Sequence, residues 1–319
     1  DSYYTGENLG PEAIFTYYLK EDLETKEKER QKKEAEEQKE GKDNKYPDYE
    51  TYKAEVDEFK PSSFLVVRNA EGDVIRKIKG STKSGLHRVK WDLRYAPKDP
   101  IRLSKPNFYN PFSGKDEGTL VKPGKYEVSL VLYDEGEFTH SAGPVEFEVV
   151  PLNNTVLPAE NREEKVEFQR EVADLARSIE GAQHLLREMR NKLRHMRVAI
   201  VRVEEPMDTM SALANKIELE LKLLNRKLNG DRVKSKLDID QPMAPATRVG
   251  WVVYEQKYST SEPTETHRHS IEIAKEEFEP ILEGLRKVAN GDIPALENML
   301  EEADAPYTPG RAIRMMQME

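Results

Sequence analysis

Between Phe168 and Val203 apolar residues recur in unbroken steps of four and three: Phe168, Val172, Leu175, Ile179, Ala182, Leu186, Met189, Leu193, Met196, Ile200 and Val203. This is the a/d seam of a helix packed along its length against other helices. At 1.5 Å per residue it predicts a rod roughly 50 Å long. Asn161 with Glu164, or Pro158 at a first-turn position, can open this helix, and Pro206 is expected to end it. Gly181, beside Ala182 in the seam, predicts close approach by a neighbouring helix. A second run, Met210, Ala214, Ile217, Leu221, Leu224 and Leu228, closes on Asn229-Gly230 and should lie antiparallel to the first. At about 22 residues, roughly 33 Å, it is too short to cover the whole rod. The missing cover is expected beyond the linker Asp231 to Arg248. There Val249 to Tyr258 forms a short piece anchored by Trp251 and Tyr254, and Ile271, Ala274, Phe278, Ile281, Leu285 and Val288 resume the spacing. Ser261 with Pro263 suits a helix start, Pro280 predicts a kink or restart, and Asp292 with Pro294 a further helix to about Ala303. The tail, 305–319, is expected to run extended along the surface.

Upstream the period changes to two. Ala13 to Leu19 reads as a strand. Lys20 to Asp43 is almost wholly charged, with Leu23 its one large apolar residue, and is either a solvated helix held by i,i+4 pairs or disordered. Tyr46, Tyr49, Tyr52, Val56 and Phe59 are expected to anchor the returning chain to the core. Ser63 to Arg68 and Asp73 to Ile78 flank the turn sequence Asn69-Ala70-Glu71-Gly72. Gly85 to Leu93 alternates, placing His87, Val89, Trp91 and Leu93 inward. Lys125 to Tyr133 and Val145 to Val150 complete roughly seven expected strands, with Asp134-Glu135-Gly136 as a tight turn. The predicted fold is an Ig-like β-sandwich followed by an elongated antiparallel three- to four-helix coiled-coil bundle. Residues 1–12 form a tether, 13–152 the sandwich with a charged helical insertion at about 20–60, 153–304 the bundle and 305–319 the tail.

With 319 residues the chain is long enough for two or three domains. Its net charge of -10 argues against nucleic acid, which needs a concentrated positive field. The absence of cysteine excludes disulfides and thiolate metal sites. No apolar run reaches the roughly 20 residues that span a bilayer as a helix. The start at Asp1 is read as that of a processed piece of something larger.

Candidate chemistry is sparse. His184 and His195, eleven residues apart on a helix, lie about 16 Å from one another, too far to share an ion. His267 and His269 fall on different sides of a helix. Arg187, Arg190, Lys192, Arg194, Arg197 and Arg202 form a basic stretch, either a docking surface for an acidic partner or half of an interhelical pairing with Glu272, Glu276, Glu277, Glu279 and Glu283. The Pro- and Gly-punctuated excursion from Ala96 to Gly118 carries Phe108, Tyr109 and Phe112, a functional loop or an interface cover. Asp208-Thr209-Met210 resembles a short O-glycosylation acceptor motif of some Gram-negative bacteria, with Thr209 as acceptor; alternatively Asp208 or Thr209 caps the second helix. No Ser/His/Asp order, phosphate-cradling glycine loop or zinc signature is present, so no catalytic residue, cofactor or metal is predicted.

Three stretches together resemble the Ig-like module of flagellar hook-capping proteins. They are Phe15-Thr-Tyr-Tyr-Leu19; Asn69-Ala-Glu-Gly72 with Val74-Ile75-Arg76; and Gly85-Leu-His-Arg-Val-Lys-Trp-Asp92 with Pro123-Gly-Lys-Tyr-Glu-Val-Ser-Leu130. Taken with Val156-Leu-Pro158, Ser259-Thr-Ser-Glu-Pro-Thr264 and Thr308-Pro-Gly-Arg311, the chain is similar to the C-terminal region of secreted bacterial proteins that carry a sortilin-type β-propeller of BNR-like repeats. The resemblance implies a secreted, periplasmic or cell-surface protein of a Gram-negative bacterium. It further implies a non-catalytic role and a β-propeller partner preceding Asp1, with other cell-envelope proteins as further partners. The alternative it leaves open is the accessory half of a carbohydrate-active propeller enzyme.

Overall fold

The computed structural model describes residues 10–44, 46–101, 103, 117–204 and 208–312. The chain is of mixed α and β class and forms two compact units, one rich in strands that ends at Asn154, and one helical that takes in Lys98 as well as the chain from Thr155.

The first unit contains β1 (Ala13–Leu19), α1 (Lys26–Lys39), α2 (Tyr49–Val56), β2 (Ser62–Asn69), β3 (Val74–Lys79), β4 (Gly85–Trp91), β5 (Gly124–Asp134) and β6 (Glu137–Val149). β1 pairs antiparallel with β4, and β3-β2-β5-β6 form a second antiparallel sheet. Alternation decides which side chains turn inward: His87, Val89 and Trp91 lie on the less exposed side of β4, Leu86, Arg88 and Lys90 on the exposed one. Trp91, 1% exposed, packs with Tyr126, Leu65, Val67 and Leu130, and its indole N–H is satisfied by the Arg94 carbonyl at 3.0 Å. Glu135 and Gly136 both take positive φ in the two-residue turn between β5 and β6. β6 starts eight residues before the expected Val145. Its first half is exposed on both faces, so a ladder of backbone bonds holds it and no alternation marks it in the sequence.

The charged insertion is helical, with Thr25 as N-cap and no buried residue in α1. Tyr46, Tyr49, Tyr52, Val56 and Phe59 are all exposed and do not anchor it to the core, contrary to expectation. Charge holds it instead. Arg30 reaches Glu34 at 2.7 Å and Glu55 of α2 at 2.6 Å, and sits 5.2 Å above the Tyr52 ring.

The second unit contains α3 (Arg162–Ile200), α4 (Asp208–Asn229), α5 (Arg232–Lys236), α6 (Pro245–Tyr258), α7 (Glu265–Lys287), a π-helical turn (Val288–Asp292) and α8 (Ile293–Glu302). Asn161 caps α3 by accepting from Glu164 N–H. The helix stops at Ile200, short of Pro206, in a tightened turn where Arg202 N–H bonds the Ala199 carbonyl. Every seam position from Phe168 to Ile200 lies in or against one apolar core, with Val203 packed beside it past the helix end.

Two helices share the cover that α4 alone cannot supply. Gln183 bonds Asn229 and Arg197 bonds Asn215, so α4 runs antiparallel along the second half of α3. Lys165 and Gln169 bond the Ser259 and Gln256 carbonyls, so α6 runs antiparallel along the first half. The rod α7-π-α8 runs parallel to α3 instead: Arg268 meets Glu164 and Lys192 meets Glu297, at sequence offsets of 104 and 105.

Four expectations are corrected here. Trp251 and Tyr254 are 56% and 60% exposed and stack on each other, while Val249, Val252 and Gln256 face the core. α7 does not restart at Pro280 but is one helix to Lys287, and the expected further helix does begin at Ile293 with Pro294 in its first turn, reached through the π turn and without a side-chain cap from Asp292; Ile281, Leu285, Val288, Ile293 and Leu296 stay buried across both points. Gly181 faces open space, and a close approach within these helices falls instead at Gly284, against Leu224. The chain after α8 is not a free tail as far as Arg311. Ala305, Thr308 and Arg311 are buried, with the Arg311 guanidinium donating to the Ala305 carbonyl at 2.7 Å and ion-paired with Glu301 at 2.9 Å.

Candidate functional site

At 100° per residue Arg187, Arg190, Arg194 and Arg197 fall within about 80° of one another on α3, away from its seam. The first three are exposed; Arg197 is half-buried. Arg197 donates to Asn215 at 2.7 Å and pairs with Glu218 of α4 at 2.5 Å. Glu218 also accepts from Lys222 at 2.6 Å. That hydrogen bond first, then the positive charges of Arg197, Lys222 and Arg190, hold its carboxyl below the usual carboxylate range.

The expected pairing of this row with the α7 carboxylates is not observed among the described residues. The parallel run explains why. An offset of 104 places Glu272 to Glu283 beside residues 168 to 179, a different stretch of α3 from the arginines. α7 instead offers cations to α3 carboxylates, through Arg268 to Glu164 and Lys275 to Glu171. The arginine row is therefore fixed at one end by α4 and open along Arg187 to Arg194.

A polar node that sequence reasoning missed lies where α3, α6 and α7 meet. His267 stands three residues after the N-cap Thr264 and completes a capping box. Its Nδ1 accepts from Thr264 N–H at 3.2 Å and lies 3.0 Å from the Gln256 amide nitrogen; its Nε2 lies 2.6 Å from Glu255. Because a backbone N–H can only donate, Nδ1 is the acceptor and Nε2 carries the proton. Both ring nitrogens thus have structural partners. The signal in the sequence was Thr264-x-x-His267, a capping box with imidazole replacing the usual carboxylate or amide.

Phe108, Tyr109 and Phe112 lie outside the described residues. Thr209 is exposed in the first turn of α4, directly after Asp208, the helix's first residue. His184 and His195 stay apart on α3. Among the described residues no three His, Asp or Glu side chains are grouped to hold a metal ion, and no helix is long and apolar enough to cross a membrane. Comparison of the chain with protein-family models, with curated proteins and with solved structures gave no match.

Proposed function

We propose that this chain is a structural and interaction module of an exported protein: an Ig-like β-sandwich followed by a coiled-coil-type bundle, non-catalytic, that packs against a β-propeller and positions it in a secreted or cell-surface assembly. One observation carries the reading. The apolar seam of α3 is covered along its length by α6, α4 and the α7-π-α8 rod, which makes the helix a stiff beam, while Arg187, Arg190 and Arg194 point away from that core. A beam of 39 residues spans about 58 Å, suited to holding a partner at a set distance. An exposed row of arginines favours an acidic face on that partner.

Titration calorimetry of the full chain against a sortilin-type β-propeller from a secreted bacterial protein tests this. Binding at micromolar concentration, weakened at least about tenfold in the triple variant R187E/R190E/R194E, is expected. Absence of binding up to about 1 mM, or cleavage of glycans by the chain alone, overturns the reading.

A further inference from the structure

β3 and β6 are the two outer strands of the four-stranded sheet, each paired on one side only among the described residues. Their unpaired sides differ in charge. β3 reads Val74-Ile-Arg-Lys-Ile-Lys79, and Lys77 and Lys79 are exposed with no carboxylate partner among the described residues. By contrast Arg76 is bound to the Tyr95 carbonyl at 2.9 Å and Lys90, nearby, to Glu12 at 2.8 Å. The end of β6 reads Val145-Glu-Phe-Glu-Val149, with Val145, Glu146 and Glu148 exposed.

Backbone register turns alternate peptide groups of β3 outward. Gly80 N–H bonds the Ser63 carbonyl at 2.8 Å, and the register runs Leu65 opposite Ile78 and Val66 opposite Lys77. Because hydrogen-bonded pairs alternate along an antiparallel ladder, the peptide groups of Ile78 and Arg76 face β2, and those of Lys77 and Lys79 face away from it. Beside this edge lies an open depression of about 310 Å³, lined by Arg76 to Lys79 and by Glu12, Lys90, Trp91 and Asp92, its two carboxylates set among four cations.

We propose that β3 of one molecule and the Val145–Val149 segment of β6 of a second copy of this chain pair edge to edge, extending the sheet from molecule to molecule. The period of two brings the same face into register on both strands. Lys77 and Lys79 meet Glu146 and Glu148 on one face, while Ile78 meets Phe147 on the other. Charge also excludes the competing contacts: β3 on β3 places lysines together, and β6 on β6 places glutamates together. The interface joins two different surfaces, so it propagates beyond a dimer. This inference stands apart from the proposed propeller partner, whose arginine row lies in the other unit.

Sedimentation velocity of the full chain up to about 1 mM tests it. Growth past the dimer is expected, suppressed at least about tenfold in association constant by high salt. K77E/K79E and E146K/E148K, all exposed positions, should each stay monomeric alone with unchanged melting. Mixed one to one, they should co-assemble past the dimer, since the native glutamate edge of one meets the native lysine edge of the other and the two reversed edges are complementary as well. A wild-type chain that stays monomeric, association that stops at a dimer, variants that still polymerise, or a mixture that fails to pair each overturns the proposal.

Discussion

A methyl group added at Gly181 meets no heavy atom within 4 Å, whereas one added at Gly284 lands 2.7 Å from Leu224 Cδ2. Both glycines stand inside helices, where glycine costs about 1 kcal/mol relative to alanine. Gly181→Ala should therefore stabilise the helical unit by about 1 kcal/mol. Gly284→Ala obtains the same backbone gain and meets a core residue, Leu224, that is 3% exposed and must shift to admit the methyl group. Overpacking of that kind costs typically about 1–3 kcal/mol, so the net effect is neutral to destabilising. Chemical denaturation of the two variants checks the contrast: equal effects at the two sites would show that the space around them is the same. The sequence places both glycines in helical runs but carries no sign of which one faces a neighbour, since that depends on the angle at which another helix crosses.

At the scale of elements, the seam of α3 was legible because its period repeats over about nine turns and errors at single residues cannot shift it. In α6 the same period was present in Val249, Val252 and Gln256, but aromatic size drew attention to Trp251 and Tyr254, which point outward. Pro280 read as a kink or restart because proline removes a donor, yet the helix runs on past it with Phe278, Ile281 and Leu285 buried on either side. Pro294 read as a helix start, and α8 begins there because a first-turn proline lacks only an N–H that has no helical partner. The apolar signal of the charged insertion, Tyr46 to Phe59, misled, because those side chains are exposed, and its placement follows from charge. Asp22 accepts Ser84 N–H at 2.6 Å and pairs with Lys83 at 3.1 Å, while Leu23 N–H bonds the Thr82 carbonyl at 2.7 Å, tying the root of the insertion to the turn before β4. The Ser84 hydrogen bonds first, then Lys83, hold the Asp22 carboxyl well below its ordinary value of 3.8. Asp22 and its neighbour Glu24 raise Lys83 above 10.5. A depressed carboxyl contributes stability above its unfolded pKa and loses it as pH falls through the folded one; a raised lysine contributes below its unfolded pKa and loses it as pH climbs past it. Protection of Leu23 N–H from hydrogen exchange, corrected for the intrinsic rate, should hold between about pH 5 and pH 9 and decline on both sides. In Asp22→Asn the acid limb of that decline should vanish. An unchanged acid limb would locate the titration elsewhere.

For the molecule as a whole, each compact unit has its own apolar cluster and its own tryptophan. Trp91 is buried in the strand unit, and Trp251 is exposed in the helical one. Unfolding moves only Trp91 from an apolar setting into water, so the red shift of emission reports the strand unit, while helical circular dichroism is dominated by α3 to α8. Leu221 and Val67 are fully buried, one in each cluster. Leu221→Ala removes apolar contact and leaves a cavity, a loss of about 2–5 kcal/mol; Val67→Ala removes less, about 1–3 kcal/mol. If each cluster sustains its own unit, Leu221→Ala lowers the denaturant midpoint of the dichroism and leaves that of the fluorescence in place, and Val67→Ala does the reverse. A stiff beam that positions a partner requires this separation, because its rigidity then survives deformation of the strand unit under load. Should both probes move together in both variants, the two clusters melt as one cooperative body, and the beam could not keep its shape independently of the strands.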